Sequence, residues 1–288
     1  MSTLQPQQSF AFDRLESRLR ITGTLAVATG LRIGSGGDTG VSSTRLPVMR
    51  DTFDRPFIPG ASFKGSLRSL LESIVRGLGT TQQQQRQLAC IVLASEERCI
   101  SNYKMDEWRK KEAKNDPRKL SELVYQHSCL LCQTFGSPWM ASHIAVSDLL
   151  IDPQLWYGQF EVRQGVAIGR DTETAANSLL YDFEVVPAET RFHLEIACDN
   201  LAEWQRGLLW LGMQRFVDGE VAIGGGRSRG LGKVKLEDPV WNGWELGEDP
   251  VASVLNLVSS PWRSIPTETM PDSWRTALER RLKEAMRV

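Results

Sequence analysis

The feature that most constrains this chain is a strand-then-helix pattern that occurs twice. Residues 18–28, RLRITGTLAVA, place Leu19, Ile21, Leu25 and Val27 at odd positions, as in a strand with one buried face. After the Pro59–Gly60 turn, Phe63, Leu67, Leu70, Leu71, Ile74 and Leu78 recur at three- and four-residue spacing. That predicts an amphipathic helix over 62–78 with Ser62 as its N-cap. In the second half, Phe192, Leu194 and Ile196 mark a strand over 191–197. Asn200 and Glu203 form a capping-box pattern, with Asn in place of Ser or Thr, ahead of a helix over 201–217 striped by Leu201, Trp204, Leu208, Leu209 and Leu211. A last strand carries Val234 and Leu236 on one face. Two β-α-β halves predict an α+β class fold of ferredoxin-like type, with helices on one face of an antiparallel sheet.

Other stretches break this frame. Residues 80–126 begin with TTQQQQRQ and contain the charge-dense MDEWRKKEAKNDPRK, which reads as a partly helical insertion. IAVSDLLI reads as one strand. Two extended arms around the polar middle Asp171–Asn177 read as a long hairpin. The tail, 240–288, ends in a helix whose Trp274, Leu278, Leu282 and Met286 recur every four residues, so it docks on a neighbour or on the domain itself. The expected organisation is one domain over 1–239 and an extension over 240–288.

Composition excludes several classes. The 288 residues, 41% apolar and 24% charged, suffice for a large core. No apolar run is long enough to span a membrane. The N-terminus lacks a basic segment followed by an apolar one, so no signal peptide is expected and the cytoplasm is the expected compartment. Five cysteines at this length do not make a secreted disulfide framework. With 34 basic and 35 acidic residues, any polyanion must meet a local cluster of cations rather than a basic chain.

GGGRSRGLGKVK, from Gly224 to Lys235, offers such a cluster. It is not a P-loop, because Arg227 stands where Gly is required and Val follows Lys233. Nor is it a dinucleotide fingerprint, because the glycines precede a strand. There remain a bare loop around Gly225 and Gly226, with Arg227 and Arg229 suited to phosphate, or a β-bulge with solvated arginines. Lys64 and Arg68 share a face near a helix N-terminus, where an anion would offset their conflict with the macrodipole; ordinary surface cations are the alternative. In HSCLLC, Cys129 and Cys132 have the Cys-x2-Cys spacing of a zinc site, with His127 and either Cys99 or Cys90 available to complete four ligands; a buried reduced pair is the alternative. Cys198 reads as core, and His143 and His193 as structural histidines in or beside strands.

Together, LRIGSGG, LPVMRD, PFIPGASFKGSLRSLLE, CQTFGS and IGGGRSRGLGKV, in that order over residues 19–237, resemble the backbone subunits of type III CRISPR–Cas effector complexes. These form the Cas-seven branch of the repeat-associated (RAMP) superfamily. The resemblance implies an RRM-like palm and a β-hairpin thumb at 162–186 that kinks the guide–target duplex. It implies as partners a CRISPR guide RNA, a complementary target RNA, neighbouring Cas-seven-like subunits and other effector subunits. By the same resemblance Arg45, Ser62, Lys64, Arg68, Arg163, Arg170, Gly225, Gly226, Arg227 and Arg229 are candidate RNA contacts, and the HSCLLCQTFGS region resembles one that carries zinc in some relatives. In target-cleaving relatives an aspartate lies two residues before the proline of the PV element; here that position is Arg45. A guanidinium can neither activate a 2′-OH nor bind Mg2+. Asp38, earlier in the same loop, is the remaining candidate catalytic carboxylate. The expectation is therefore an RNA-holding subunit, with Asp38-dependent, Mg2+-assisted cleavage or stand-alone guide processing as alternatives.

Overall fold

A computed structural model describes residues 12, 14–34, 46–169, 174–259 and 262–287, with backbone alone at 166–169 and 174–180. The expected sites Asp38, Arg45 and Arg170 lie outside the described residues.

In chain order the elements are β1 (Ser17–Val27), β2 (Phe57–Ile58), α1 (Gly60–Arg76), α2 (Gln82–Leu88), α3 (Asn102–Lys110), α4 (Pro117–His127), α5 (Leu130–Phe135), β3 (Ile144–Val146), β4 (Leu149–Leu150), β5 (Glu161–Gly169), β6 (Thr174–Val185), β7 (Arg191–Asp199), α6 (Glu203–Val217), β8 (Val221–Ala222), β9 (Lys233–Glu245), α7 (Pro250–Asn256), β10 (Arg263–Ile265) and α8 (Asp272–Ala285). The main sheet is antiparallel, in the order β10-β9-β1-β7-β3, with β8 also on β9. This is a mixed α/β architecture of the expected coarse class.

The alternation in β1 is realised. Leu19, Ile21, Leu25 and Val27 are buried against α1 and α6. Arg18 and Arg20 face outward and meet Asp199 at 2.6 Å and Glu195 at 3.0 Å on the neighbouring strand. β9 bulges where Gly23 faces Asp238 and Pro239; Asp238 takes φ 48°, and Pro239 supplies no N–H where the ladder is interrupted.

Three expectations are corrected by the local geometry. Ser62 is not an N-cap. The helix begins at Gly60, whose N–H donates to Asp148 Oδ1 at 2.8 Å; a Cβ at Gly60 would lie 2.2 Å from the Val146 carbonyl oxygen. The helix therefore starts two residues earlier, close under β3, with a carboxylate from another segment satisfying its first amide. Asn200 is not a cap either. It takes φ 54° and its Oδ1 accepts from the Glu16 and Ser17 amides at 2.8 and 3.1 Å, pinning the entry to β1, while the Gln205 side chain accepts from Ala202 N–H at the head of α6. IAVSDLLI is two short strands in different sheets, β3 on β7 and β4 on β2.

The apolar residues of α6 are not confined to one stripe because the helix is covered twice. α1 meets it at Gly212, where a Cβ would lie 2.6 Å from Leu67 Cδ1, and α8 meets it at Gly207, where a Cβ would lie 2.8 Å from the Trp274 carbonyl oxygen. Trp210, Trp241 and Trp274 cluster there, with ring centroids 4.8 and 6.2 Å apart. The terminal helix thus docks on its own domain. β9 also runs through position 239, so the expected domain edge falls inside a strand. The expected insertion forms α2, α3 and α4, with a small second core of Ile100, Met105, Trp108 and Val124.

The hairpin β5–β6 is paired from Glu161↔Val185 to Gly169↔Thr174. Its base is fixed by Glu184, 5% exposed, whose Oε2 accepts from Arg50 Nη2 at 2.6 Å and from the Val48 amide at 3.2 Å. Glu184→Ala removes two charge-assisted bonds and is expected to cost about 2–3 kcal/mol, read as a lower urea midpoint with an unchanged slope.

Candidate nucleic-acid interface and metal centre

Three loops meet at one end of the sheet. Residues 28–34 leave β1, residues 186–190 run from β6 into β7, and residues 223–232 enter β9. Leu31 and Val186 exchange backbone hydrogen bonds at 2.8 Å; Gly225 N–H donates to Arg32 O at 2.8 Å and Gly232 N–H to Gly30 O at 2.9 Å. Between them lies a cleft of about 430 Å³ lined by Arg32, Tyr181, Phe183, Ser228, Arg229 and Leu231, among others.

Gly224 and Gly232 of GGGRSRGLGKVK are there because chains cross closely. Gly224 has φ 77° and a Cβ would lie 2.4 Å from Arg32 O; Gly232 has φ 83° and a Cβ would lie 2.0 Å from Ile223 O. Gly226, at φ 76°, opens a single 3-10 turn over Arg227–Arg229 and its carbonyl accepts from the Arg229 and Leu231 amides. The turn pushes Arg227 and Arg229 into solvent. Arg229 Nη1 donates to the Tyr181 hydroxyl at 2.7 Å. The Tyr181 ring lies across Gly165 of the facing strand, where a Cβ would come within 2.3 Å of it.

Arg32 is the residue that sequence reasoning missed. Its guanidinium carbon is 5.7 Å from the centre of the Phe183 ring, and its Nε is buried without a hydrogen-bond partner among the described residues. Among those residues no carboxylate pairs with Arg32, Arg227 or Arg229. The signal was its place inside the LRIG motif, but nothing in one sequence reveals which arginine lacks a partner. Arg163, by contrast, pairs with Glu161 at 2.8 Å on the hairpin while remaining exposed.

The expected cations on α1 have internal partners. Lys64 Nζ donates to the Ile144 carbonyl at 2.8 Å, and burial, followed by repulsion from Arg68, lowers its pKa from the ordinary lysine value. Arg68 donates to Glu72 at 2.7 Å, to Gly136 O at 2.9 Å and to Cys132 Sγ at 3.5 Å. With Asp148 on the Gly60 amide, the start of α1 is closed by the chain's own groups. Lys64 and Arg68, expected as phosphate contacts, are thus half-buried and already bonded within the chain, and Ser62 is half-buried beside them.

The metal-ligand expectation is also corrected in part. Cys90, Cys99, Cys129 and Cys132 bring their sulfurs within 4.8 Å of one another. Cys90 and Cys132 Sγ are 3.6 Å apart, close to the ~3.8 Å edge of a tetrahedron with ~2.3 Å metal–sulfur bonds. Both upstream cysteines are present, and His127 is not. His127 ends α4 in an exposed position, with Nδ1 2.9 Å from Leu123 O and its ring 4.8 Å from Trp108. Hydrogen bonding from Cys129 and Cys132 draws the Cys99 thiol far below its ordinary value, and hydrogen bonding to Cys132 and Cys90, with burial, pushes Cys129 well above. Cys198 is core, its thiol pushed up by burial; His143 is buried on Asp199 O at 2.8 Å and its pKa is lowered by burial.

A model of the RAMP superfamily matches residues 24–235. The chain belongs to the RAMP superfamily. Proteins named CRISPR system Cms endoribonuclease Csm3 are similar to it. That of Methanocaldococcus jannaschii is 26% identical over 239 residues, covering 78% of this chain and 80% of that protein. That of Enterococcus italicus is 44% identical over 79 residues, covering 27% and 36%, and that of Mycobacterium tuberculosis 49% over 57 residues, covering 19% and 24%. The superfamily match takes in the cleft loops and the cysteine cluster and ends inside β9, ahead of α7 and α8.

Gly230 and Gly232 separate backbone strain from chain crossing. Both have positive φ, 82° and 83°, but a Cβ at Gly230 meets nothing within 4 Å. Gly230→Ala is expected to cost about 1–2 kcal/mol and Gly232→Ala about 4 kcal/mol or more. Equal losses in chemical denaturation would contradict the crossing-chain account.

Proposed function

We propose that this protein is a backbone subunit of a type III CRISPR effector complex, holding guide RNA at the loop cleft, with the β5–β6 hairpin as the thumb against the guide–target duplex. The observation that carries the reading is a set of arginines without carboxylate partners among the described residues, Arg32 and Arg229 lining the cleft and Arg227 exposed beside it, at the junction of the glycine-rich loop and the hairpin base. Phosphate-directed cations beside Tyr181 and Phe183 suit a single strand, whose backbone is neutralised while its bases meet aromatic faces. The similarity to the Csm3 proteins supports the same assignment, with neighbouring subunits and a complementary target RNA as further partners.

The strand order β9-β1-β7-β3 supports a ferredoxin-like palm, since it is the 4-1-3-2 order of two interleaved β-α-β units. The palm does not use its open face in the RRM manner. On the two central strands that face carries Arg18, Arg20, Thr22, Thr24, His193 and Glu195, largely ion-paired across strands, and lacks the Phe or Tyr side chains on which an RRM stacks bases. RNA is held instead at the end of the sheet. Zinc is the metal that four clustered thiolates suit best, as a closed structural site; bound there, it would tie the segment around Cys90 and Cys99 to that around Cys129 and Cys132.

Arg45 in the place of the expected aspartate favours holding over cutting. In the assembled complex, Asp38→Ala is expected to leave the pattern of target-RNA products unchanged. Loss of one product band with binding intact would instead make Asp38 the catalytic carboxylate and this chain a ribonuclease like its named relatives. Arg227→Ala with Arg229→Ala is expected to weaken RNA binding and reduce the salt slope by about 1.4, two contacts at ~0.7 each on a single strand. Arg18→Ala, on the ion-paired face, should leave the slope alone. An unchanged slope in the double variant would sink the phosphate role.

A further inference from the structure

The four cysteines come from two segments separated by α3 and α4, and one helix grips both. On α1, Arg68 reaches the later segment: Nη1 donates to Gly136 O at 2.9 Å and Nη2 to Cys132 Sγ at 3.5 Å, while Glu72 Oε1 orients the fork through Nε at 2.7 Å. A little over two turns along the same helix, Arg76 reaches the earlier segment. Its Nε donates to Ala89 O at 3.1 Å and its Nη2 to Cys90 O at 3.4 Å. The Cys90 amide in turn points at Cys129 Sγ, 3.4 Å away.

We infer that Arg68 and Arg76 are positioning residues for the metal centre, a clamp on α1 that sets the separation of the two cysteine pairs. The inference rests on the zinc reading above. Four thiolates around a divalent ion leave a local charge of −2 in a largely buried place, where unneutralised charge is costly. A guanidinium N–H directed at Cys132 sulfur offsets that charge and fixes the sulfur's direction; outer groups of this kind govern how firmly a site holds its metal. Lysine cannot reproduce it, because the planar fork bonds Gly136 O, Glu72 and Cys132 together. Arg76 acts on the backbone instead, holding the Cys90 carbonyl so that its sulfur stays 3.6 Å from that of Cys132. The clamp also explains why α1, rather than the insertion's own helices, organises the cluster: Leu67, Leu71 and Val75 of α1 lie in the same core as Leu88, Cys90, Cys129 and Cys132.

The test uses the full-length protein, with zinc content by elemental analysis, competition against a chromogenic zinc chelator, and the absorption spectrum after cobalt substitution. Wild-type protein should carry zinc. Arg68→Met and Arg76→Met should release it about 10- to 100-fold more readily, and Arg68→Lys should fall between. The sulfur-to-cobalt charge-transfer band should move in Arg68→Met and Arg68→Lys, which alter a group touching sulfur, and stay in place in Arg76→Met and in the open-face control Arg20→Met. A role in folding alone would not move that band. If either methionine variant loses its circular-dichroism signature, Arg68→Lys and its spectrum carry the test. A wild-type protein that holds zinc, with Arg68 variants matching it in competition and spectrum, would overturn the clamp and leave the zinc reading standing. A wild-type protein that takes up neither zinc nor cobalt would remove the zinc reading and the clamp with it.

Discussion

Everything in this fold hangs on β1 being paired on both sides. β7 runs antiparallel along one edge and β9 along the other, so the C-terminal end of β1 lies beside the N-terminal ends of both neighbours. The loop leaving β1 and the loops entering β7 and β9 must therefore emerge together. Val27 N–H donates to Thr190 O at 2.9 Å and Ala28 N–H to Lys233 O at 2.8 Å, which closes that end of the sheet. A polar cleft at this place follows from antiparallel topology, before any particular side chain is considered. The side chains decide only what the cleft holds.

Close packing of the three loops then dictates the glycines. Gly30, Gly224 and Gly232 lie where another chain segment occupies the space of a Cβ, with contacts of 2.4, 2.4 and 2.0 Å. The bareness of GGGRSRGLGKVK reflects the crossing of protein strands. The arginines inside it are exposed as a consequence, because a 3-10 turn held between two left-handed glycines, Gly226 and Gly230, has no interior in which to bury them.

Period-two and helical spacing made β1, α1, β7 and β9 legible, because each buries one face against a common core and the pattern records that burial; α6 was legible as a helix, but its cover by both α1 and α8 was not. Ser62 and Asn200 were misread because capping was assigned from neighbours in sequence, whereas Asp148 and the entry to β1 supply the actual partners from far along the chain. The Cys-x2-Cys pair was visible as a unit; its partners were not, because His127 lies closer in sequence than Cys90 and Cys99 but at the exposed end of a different helix. Arg32 was invisible for a related reason. A cation's worth depends on whether a carboxylate stands beside it, and that is a tertiary fact.

The same distinction explains how a chain of net charge −1 can carry a phosphate-binding surface. Its arginines divide by partner. Arg18, Arg20, Arg50, Arg68, Arg163, Arg191 and Arg206 each face a carboxylate within 4.0 Å, Arg68 also holding a carbonyl and a thiol, and Arg76 is turned onto carbonyls. An arginine so engaged must break a bond before it can take a phosphate, so its gain on binding is the difference of two similar interactions. Among the described residues Arg32, Arg227 and Arg229 face no such exchange with a carboxylate; Arg32 and Arg229 line one cleft and Arg227 is exposed beside it. Local charge, and with it the direction from which a polyanion approaches, is therefore set by which cations the fold leaves without acidic partners, and total charge has little bearing on it.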